Sequence, residues 1–160
     1  MLSIKNKFTL NVVLIFSVFA LITAYFIQYI LNHKPCNLCL IERIPYLAAI
    51  ILISLIFILN KFEKIISLIV GLFFIFGAIV SFYHFGIEQG FFEESLVCDI
   101  GSNIESMSTQ DLLKQLENKI ISCKDVSFKV LGLSLATFNT LVSIIISAIM
   151  LKIGINYGKN

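Results

Sequence analysis

The chain has 160 residues, of which 58% are hydrophobic and only 14% charged. Soluble domains carry roughly 45–50% apolar and about 25% charged residues, so the polar side chains here are too few to coat an apolar core, and a soluble globular protein is excluded. Its 12 Lys+Arg and 10 Asp+Glu leave a net charge of +2, too balanced to argue for nucleic acid, and the length fits one integral membrane domain over residues 1–160.

The first element is a charge-free run of 24 residues from Phe8 to Leu31. At about 1.5 Å per residue it crosses a hydrocarbon core of roughly 30 Å. Lys5 and Lys7 precede it as they would a cleaved signal peptide, but the run is too long for one and no Ala-x-Ala follows. Further charge-free runs cover residues 44–60, 65–83 and 130–151. Four spans put both termini on one side, and the short connection between spans two and three makes those two antiparallel neighbours. The reading is therefore an all-α membrane protein, a four-helix up-down bundle. Continuous Leu, Ile and Phe leave no alternation for a β-barrel. Small residues inside the spans, Gly71, Gly77 and Ala78 in the third and Ser134, Ala136 and Ser143 in the fourth, read as ordinary composition.

Orientation follows from Lys and Arg near the span ends. Lys5, Lys7, Lys61, Lys64, Lys152 and Lys159 all fall in the termini and the 61–64 loop, within 20 residues, whereas the loops 32–43 and 84–129 spread six over 58 residues. Both termini are then cytoplasmic and the two longer loops face outward. In the second outer loop, Ser108 and Asp111 open a helix-start pattern, with Leu112, Leu113, Leu116 and Ile120 at helical spacing, which predicts a short amphipathic helix on the membrane interface.

All four cysteines, Cys36, Cys39, Cys98 and Cys123, lie in the outer loops and none in a span. Structural staples, a metal site and a redox relay compete for them. Zinc favours two closely spaced pairs, and only Cys36 and Cys39 are close, so no metal is expected. A two-residue gap lets one thiol attack a mixed disulfide made by the other, and such pairs commonly hold one thiol of depressed pKa. Arg43 follows Cys39 by four residues, on the same face if the backbone is helical, and Pro45 marks the start of regular helix. Arg43 either acidifies Cys39 and binds a polar head group or carbonyl, or anchors the helix at the interface with Glu42 as its ion-pair partner.

The run Pro35-Cys36-Asn37-Leu38-Cys39-Leu40-Ile41-Glu42-Arg43 closely resembles the Pro-Cys-x-Leu-Cys-x-x-x-Arg signature of the disulfide bond formation protein B family, quinone-reducing thiol oxidases of bacterial inner membranes. Segments 83–90 and 132–139 resemble the family's end of span three and opening of span four. The resemblance implies that Cys98 is attacked by a reduced periplasmic thioredoxin-fold thiol oxidase of the DsbA kind, with Cys123 as its disulfide mate. It implies that Cys123 then exchanges with Cys36, leaving Cys39 as the thiolate beside a quinone, ubiquinone or menaquinone, with Arg43, His84 and Glu42 around it. The absence of Trp means that any stacking role of a family tryptophan falls to Phe or Tyr or is absent. Vitamin K epoxide reductase-like proteins share the plan, but there the close pair follows the loop pair. The non-catalytic alternative is a membrane scaffold whose outer loops are held by structural disulfides.

Overall fold

The computed structural model describes residues 4–33, 35–59, 62–93, 123, 129–130 and 133–156. Among these lie five helices: α1 Ile4–Tyr29, α2 Asn37–Ile41, α3 Ile44–Leu59, α4 Glu63–Glu88 and α5 Leu135–Ile155. A two-residue antiparallel ladder, β1 Lys129–Val130 on β2 Leu133–Ser134, precedes α5. Four segments, Asn6–Tyr29, Asn37–Leu59, Glu63–Glu88 and Leu135–Ile155, are long and apolar enough to cross a membrane. The four-span all-α architecture is thus present. The amphipathic helix expected between Ser108 and Ile120 falls outside the described residues.

The helix ends differ from those of the charge-free runs, and several of the differences have a local reason. The third span continues past Tyr83 to Glu88, because His84 and Glu88 find polar partners inside the bundle and do not end the helix. The fourth begins at Leu135, where Ser134 caps it by accepting from the Thr137 N–H at 3.2 Å, as N-cap serines do. It runs on to Ile155, with Lys152 in its last turn, where a cation complements the helix dipole. The second span gains α2 at its outer end, and only the turn Glu42–Arg43 separates it from α3. Pro45 stands second in α3, where its missing N–H leaves no helical bond unmade. At the end of α1, Asn32 takes the left-handed conformation (φ 54°), a helix-stopping geometry that Asn tolerates better than most residues.

Helix α4 is the hub, packing most extensively on α5 and also on α3, while α1 lies against α3. Leu10, Tyr46, Ile53, Val70, Phe74 and Met150 form the central layer of the core. The opposite faces are apolar too: Ile58 is 75% exposed and Ile79 63%. That pattern costs a protein dearly in water and nothing in lipid. Two hydroxyls inside the spans bond back to their own helix, Ser17 donating to the Val13 carbonyl and Thr140 to that of Ala136, as a medium without water favours.

The reading of the small residues as ordinary composition does not hold for two of them. A Cβ on Gly71 would lie 2.9 Å from Leu151 Cδ2, and one on Gly77 would lie 2.8 Å from Pro45 Cγ. These glycines let α4 approach α5 and α3, as small residues do in membrane bundles. Leu151 can swing aside and the pyrrolidine of Pro45 cannot. Gly77→Val is therefore expected to cost about 1–3 kcal/mol as overpacking, read as a lower midpoint of thermal unfolding in detergent, with Gly71→Ala milder.

Candidate active site

Pro35 leads into Cys36, whose extended backbone (φ −73°, ψ 168°) makes it the N-cap of α2. The single helical turn that follows brings Cys39 round to the same side. The two free thiols lie with sulfurs 2.6 Å apart, and the Cys39 N–H donates to Cys36 Sγ at 3.3 Å. The spacing read from the sequence therefore delivers a pair poised to open and close a disulfide. Cys36 is buried, 6% exposed, while Cys39 is half-buried.

Around Cys36 the bundle assembles polar groups from three helices. His84, in the last turns of α4, places Nε2 3.6 Å from Cys36 Sγ. Its Nδ1–H donates to Glu42 Oε1 at 2.8 Å. The second carboxylate oxygen of Glu42 accepts from Asn139 Nδ2 of α5 at 2.9 Å. Asn139 Nδ2 also reaches Ser81 Oγ at 2.7 Å, and its Oδ1 accepts from the Tyr46 hydroxyl. Glu42 is thus the partner of His84 and Asn139, and of the two alternatives for Arg43 the one that paired it with Glu42 gives way to this network. Glu88 stands one turn beyond His84, its Oε1 3.8 Å from Nε2.

The chain of bonds bears on the thiol. The Cys39 side chain, bonded to Cys36 Sγ, is the largest influence and holds the Cys36 thiol below its ordinary range. Burial opposes this, and His84 adds to it through a hydrogen bond and its charge. Thiolate is the nucleophilic form, so Cys36 is expected to alkylate readily at pH values where an ordinary thiol is protonated and slow. The test is the pH profile of carboxamidomethylation of the reduced near pair, which should fall only as pH drops well below the usual thiol range.

Arg43 turns the other way. Its Nη1 donates to Gln28 Oε1 of α1 at 2.7 Å, and its guanidinium lies 5.0 Å from the centre of the Tyr25 ring. It lines a cavity of about 560 Å³ between α1 and α3, whose other walls include Tyr25, Gln28, Leu40, Ile44, Leu47 and Phe73. The three residues grouped by sequence around one ligand thus divide: Arg43 faces this largely apolar cavity, whereas Glu42 and His84 are buried against Cys36.

Cys123 is disulfide-bonded and 1% exposed. It packs in one apolar cluster with Cys36, Leu38 and Ile87. Cys98 lies outside the described residues. Cys36, Cys39 and His84 present three donor atoms within 4.8 Å of one another, a soft set in which His84 is oriented by Glu42. Sequence reasoning, which counted cysteine pairs alone, did not find that combination.

Sequence reasoning also missed Asn139, Tyr46 and Ser81 as site residues. Their signal was present: polar side chains inside runs otherwise continuously apolar, a placement that in membrane helices usually serves a partner inside the bundle.

The chain matches the family described as "Disulfide bond formation protein DsbB" over residues 6–153. It is 33% identical over 144 residues to an uncharacterised protein of Rickettsia prowazekii (strain Madrid E), covering 88% of this chain and 84% of that one. It is 40% identical over 87 residues to the SPbeta prophage-derived disulfide bond formation protein B of Bacillus subtilis (strain 168), covering 54% of this chain and 57% of that one. No solved structure matches it. With four spanning helices, a vicinal thiol pair at the mouth of the second, and a match over nearly its whole length, this multi-pass membrane protein belongs to the DsbB family of disulfide bond formation proteins.

Proposed function

We propose that the chain is a thiol:quinone oxidoreductase of the bacterial inner membrane, re-oxidising a periplasmic thioredoxin-fold thiol oxidase of the DsbA kind. The observation that carries this is the position of the near pair. Two free sulfurs 2.6 Å apart sit at the end of the second span, with the neighbouring residues Leu40 and Arg43 lining an apolar cavity. A membrane quinone fits such a place, since ligand sites are concave and mostly apolar with a few fixed polar groups. Arg43 Nη1, beside Gln28 and Tyr25, supplies the polar group, and Leu47 and Phe73 the apolar walls.

The sulfur chemistry then runs inward. A thiolate of the partner bonds to Cys98, the Cys98–Cys123 bond breaks, and the electron pair leaves on Cys123. Cys123, already packed in the cluster that holds Cys36, bonds to Cys36, and the Cys36–Cys39 bond breaks with its pair on Cys39. The partner's second thiolate releases Cys98, which takes back Cys123 and leaves Cys36 as a thiolate. The near dithiol then gives up two electrons and two protons and closes again. When bound, a quinone supplies the sink for those electrons and protons. Exchange of this kind depends on thiolate fraction, leaving-group pKa and access. The excess of Lys at the termini and the 61–64 loop supports cytoplasmic ends and periplasmic Cys-bearing loops.

The decisive experiment is quinone reduction by the detergent-solubilised protein with a reduced thioredoxin-fold dithiol as donor, followed by absorbance. Catalytic quinol formation that disappears in Cys39→Ser is the expected result. No turnover with several quinones and competent donors, in folded protein, would return the scaffold reading. In the same assay Arg43→His is expected to raise the quinone concentration for half-maximal rate about tenfold, the worth of one hydrogen bond from a charged group, with kcat little changed. An unaltered quinone dependence would remove Arg43 from the site.

A further inference from the structure

Asn139 touches neither thiol, yet it is the junction of the polar groups behind Cys36. One side chain on α5 donates to Glu42 Oε2 at 2.9 Å and to Ser81 Oγ at 2.7 Å, and accepts from Tyr46. It thereby fixes Glu42 from the side opposite His84. A carboxylate held at both oxygens fixes the ring of His84 through Nδ1, and Nε2 is left directed at Cys36 Sγ. None of the side chains in this chain of contacts lines the Arg43 cavity. The network therefore serves the thiol that exchanges with the loop pair.

We propose that Asn139 is a positioning residue for disulfide exchange, holding Glu42 and through it His84 so that Cys36 departs as a thiolate when the loop disulfide re-forms. The proposal rests on the relay described above and gives the buried Glu42–His84 pair its task. In the step concerned, the Cys98 thiolate bonds to Cys123, the Cys123–Cys36 bond breaks, and the electron pair stays on Cys36 Sγ. No proton is transferred, and the His84 imidazolium, paired with Glu42, meets the new charge. Exchange is faster when the leaving thiol has the lower pKa, so loosening Asn139 slows this step through His84 alone.

The titratable groups around Cys36 and His84 among the described residues are Cys39 on α2, Glu42 in the turn, Tyr46 on α3 and Glu88 on α4. From α5 the network receives uncharged side chains alone, Asn139 at its junction, Ser143 against Tyr46, and the N-cap Ser134 beside Glu88. Asn139 thus acts by orientation and adds no charge of its own.

The test reads Cys36 directly, without quinone or partner. In the full chain carrying Cys39→Ser, Cys98→Ser and Cys123→Ser, Cys36 is the only thiol, and the serine that replaces Cys39 keeps a hydroxyl donor beside it. Its alkylation by iodoacetamide is followed from pH 5 to 9. Asn139→Ala is expected to slow alkylation at pH 6 about tenfold while leaving the rate at pH 9 unchanged, because only the thiolate reacts. His84→Ala gives at least the same slowing, and adding Asn139→Ala to it changes nothing further, since coupled residues are not additive.

An unchanged profile in Asn139→Ala, or slowing that persists in full on the His84→Ala background, overturns the proposal. Should Asn139→Ala fail to fold, Tyr46→Phe keeps the ring packed on Phe74 and removes only the hydroxyl. It is expected to shift the profile in the same direction by about threefold, and no shift in it is equally fatal. A wild-type protein inactive with every quinone would sink the relay instead, whatever the alkylation profile.

Discussion

Single replacement of Cys36, Cys39, Cys98 or Cys123 by serine is expected to lower sustained oxidation of a thioredoxin-fold dithiol by at least about 10³-fold, because in the proposed relay each is a covalent participant with no substitute. The four variants separate when the donor is changed. A small dithiol that reaches Cys36 without the loop pair should still drive quinone reduction in Cys98→Ser and Cys123→Ser. It should not do so in Cys36→Ser or Cys39→Ser, where no near disulfide can form. The division follows from the proposed relay, in which the near pair, whose neighbours Leu40 and Arg43 line an apolar cavity, serves the quinone and the loop pair serves the water-soluble donor. Equal loss in all four variants with both donors would mean that the pairs do not act in series.

The spans and the near pair were legible in the sequence because both are local signals. Uninterrupted apolar runs and a two-residue cysteine gap need no knowledge of tertiary contacts, and the bundle and the adjoining sulfurs followed from them. Arg43 was placed at the mouth of span two, but its partners were not, since Gln28 and Tyr25 lie on another helix. The same limit hid the network around Cys36. Asn139 is 97 residues from Glu42 and 58 from Ser81, and no periodicity links them. His84 was assigned beyond the third span because a polar residue ended the apolar run. In the bundle Glu42 satisfies it, so the helix continues. Span boundaries drawn by apolarity therefore failed where buried polar groups found each other.

Glu42→Leu is expected to destabilise the protein by about 3–5 kcal/mol, as removal of one member of a buried charged pair does. The leucine strands His84 Nδ1–H and one of the two N–H groups of Asn139 Nδ2, which now donate to the two oxygens of Glu42, in surroundings where an unmade hydrogen bond costs its full desolvation. Glu42→Gln retains one acceptor and should lose less than half as much. Replacing the network whole is a different matter. In Glu42→Leu/His84→Phe/Asn139→Leu the groups that lose a network partner are the Tyr46 and Ser81 hydroxyls and the Glu88 carboxyl, fewer and less tightly bonded than the set removed, and apolar packing commonly equals or exceeds a buried polar set in stability. The triple variant is therefore expected to recover most of the unfolding midpoint lost in Glu42→Leu while oxidising the dithiol far more slowly than wild type. Recovery of stability without recovery of rate would assign the network to the exchange chemistry of Cys36. A triple variant as unstable as the single one would mean that these helices, packed in a bilayer that offers no hydrophobic drive between them, are held together by the same polar groups that face the thiol.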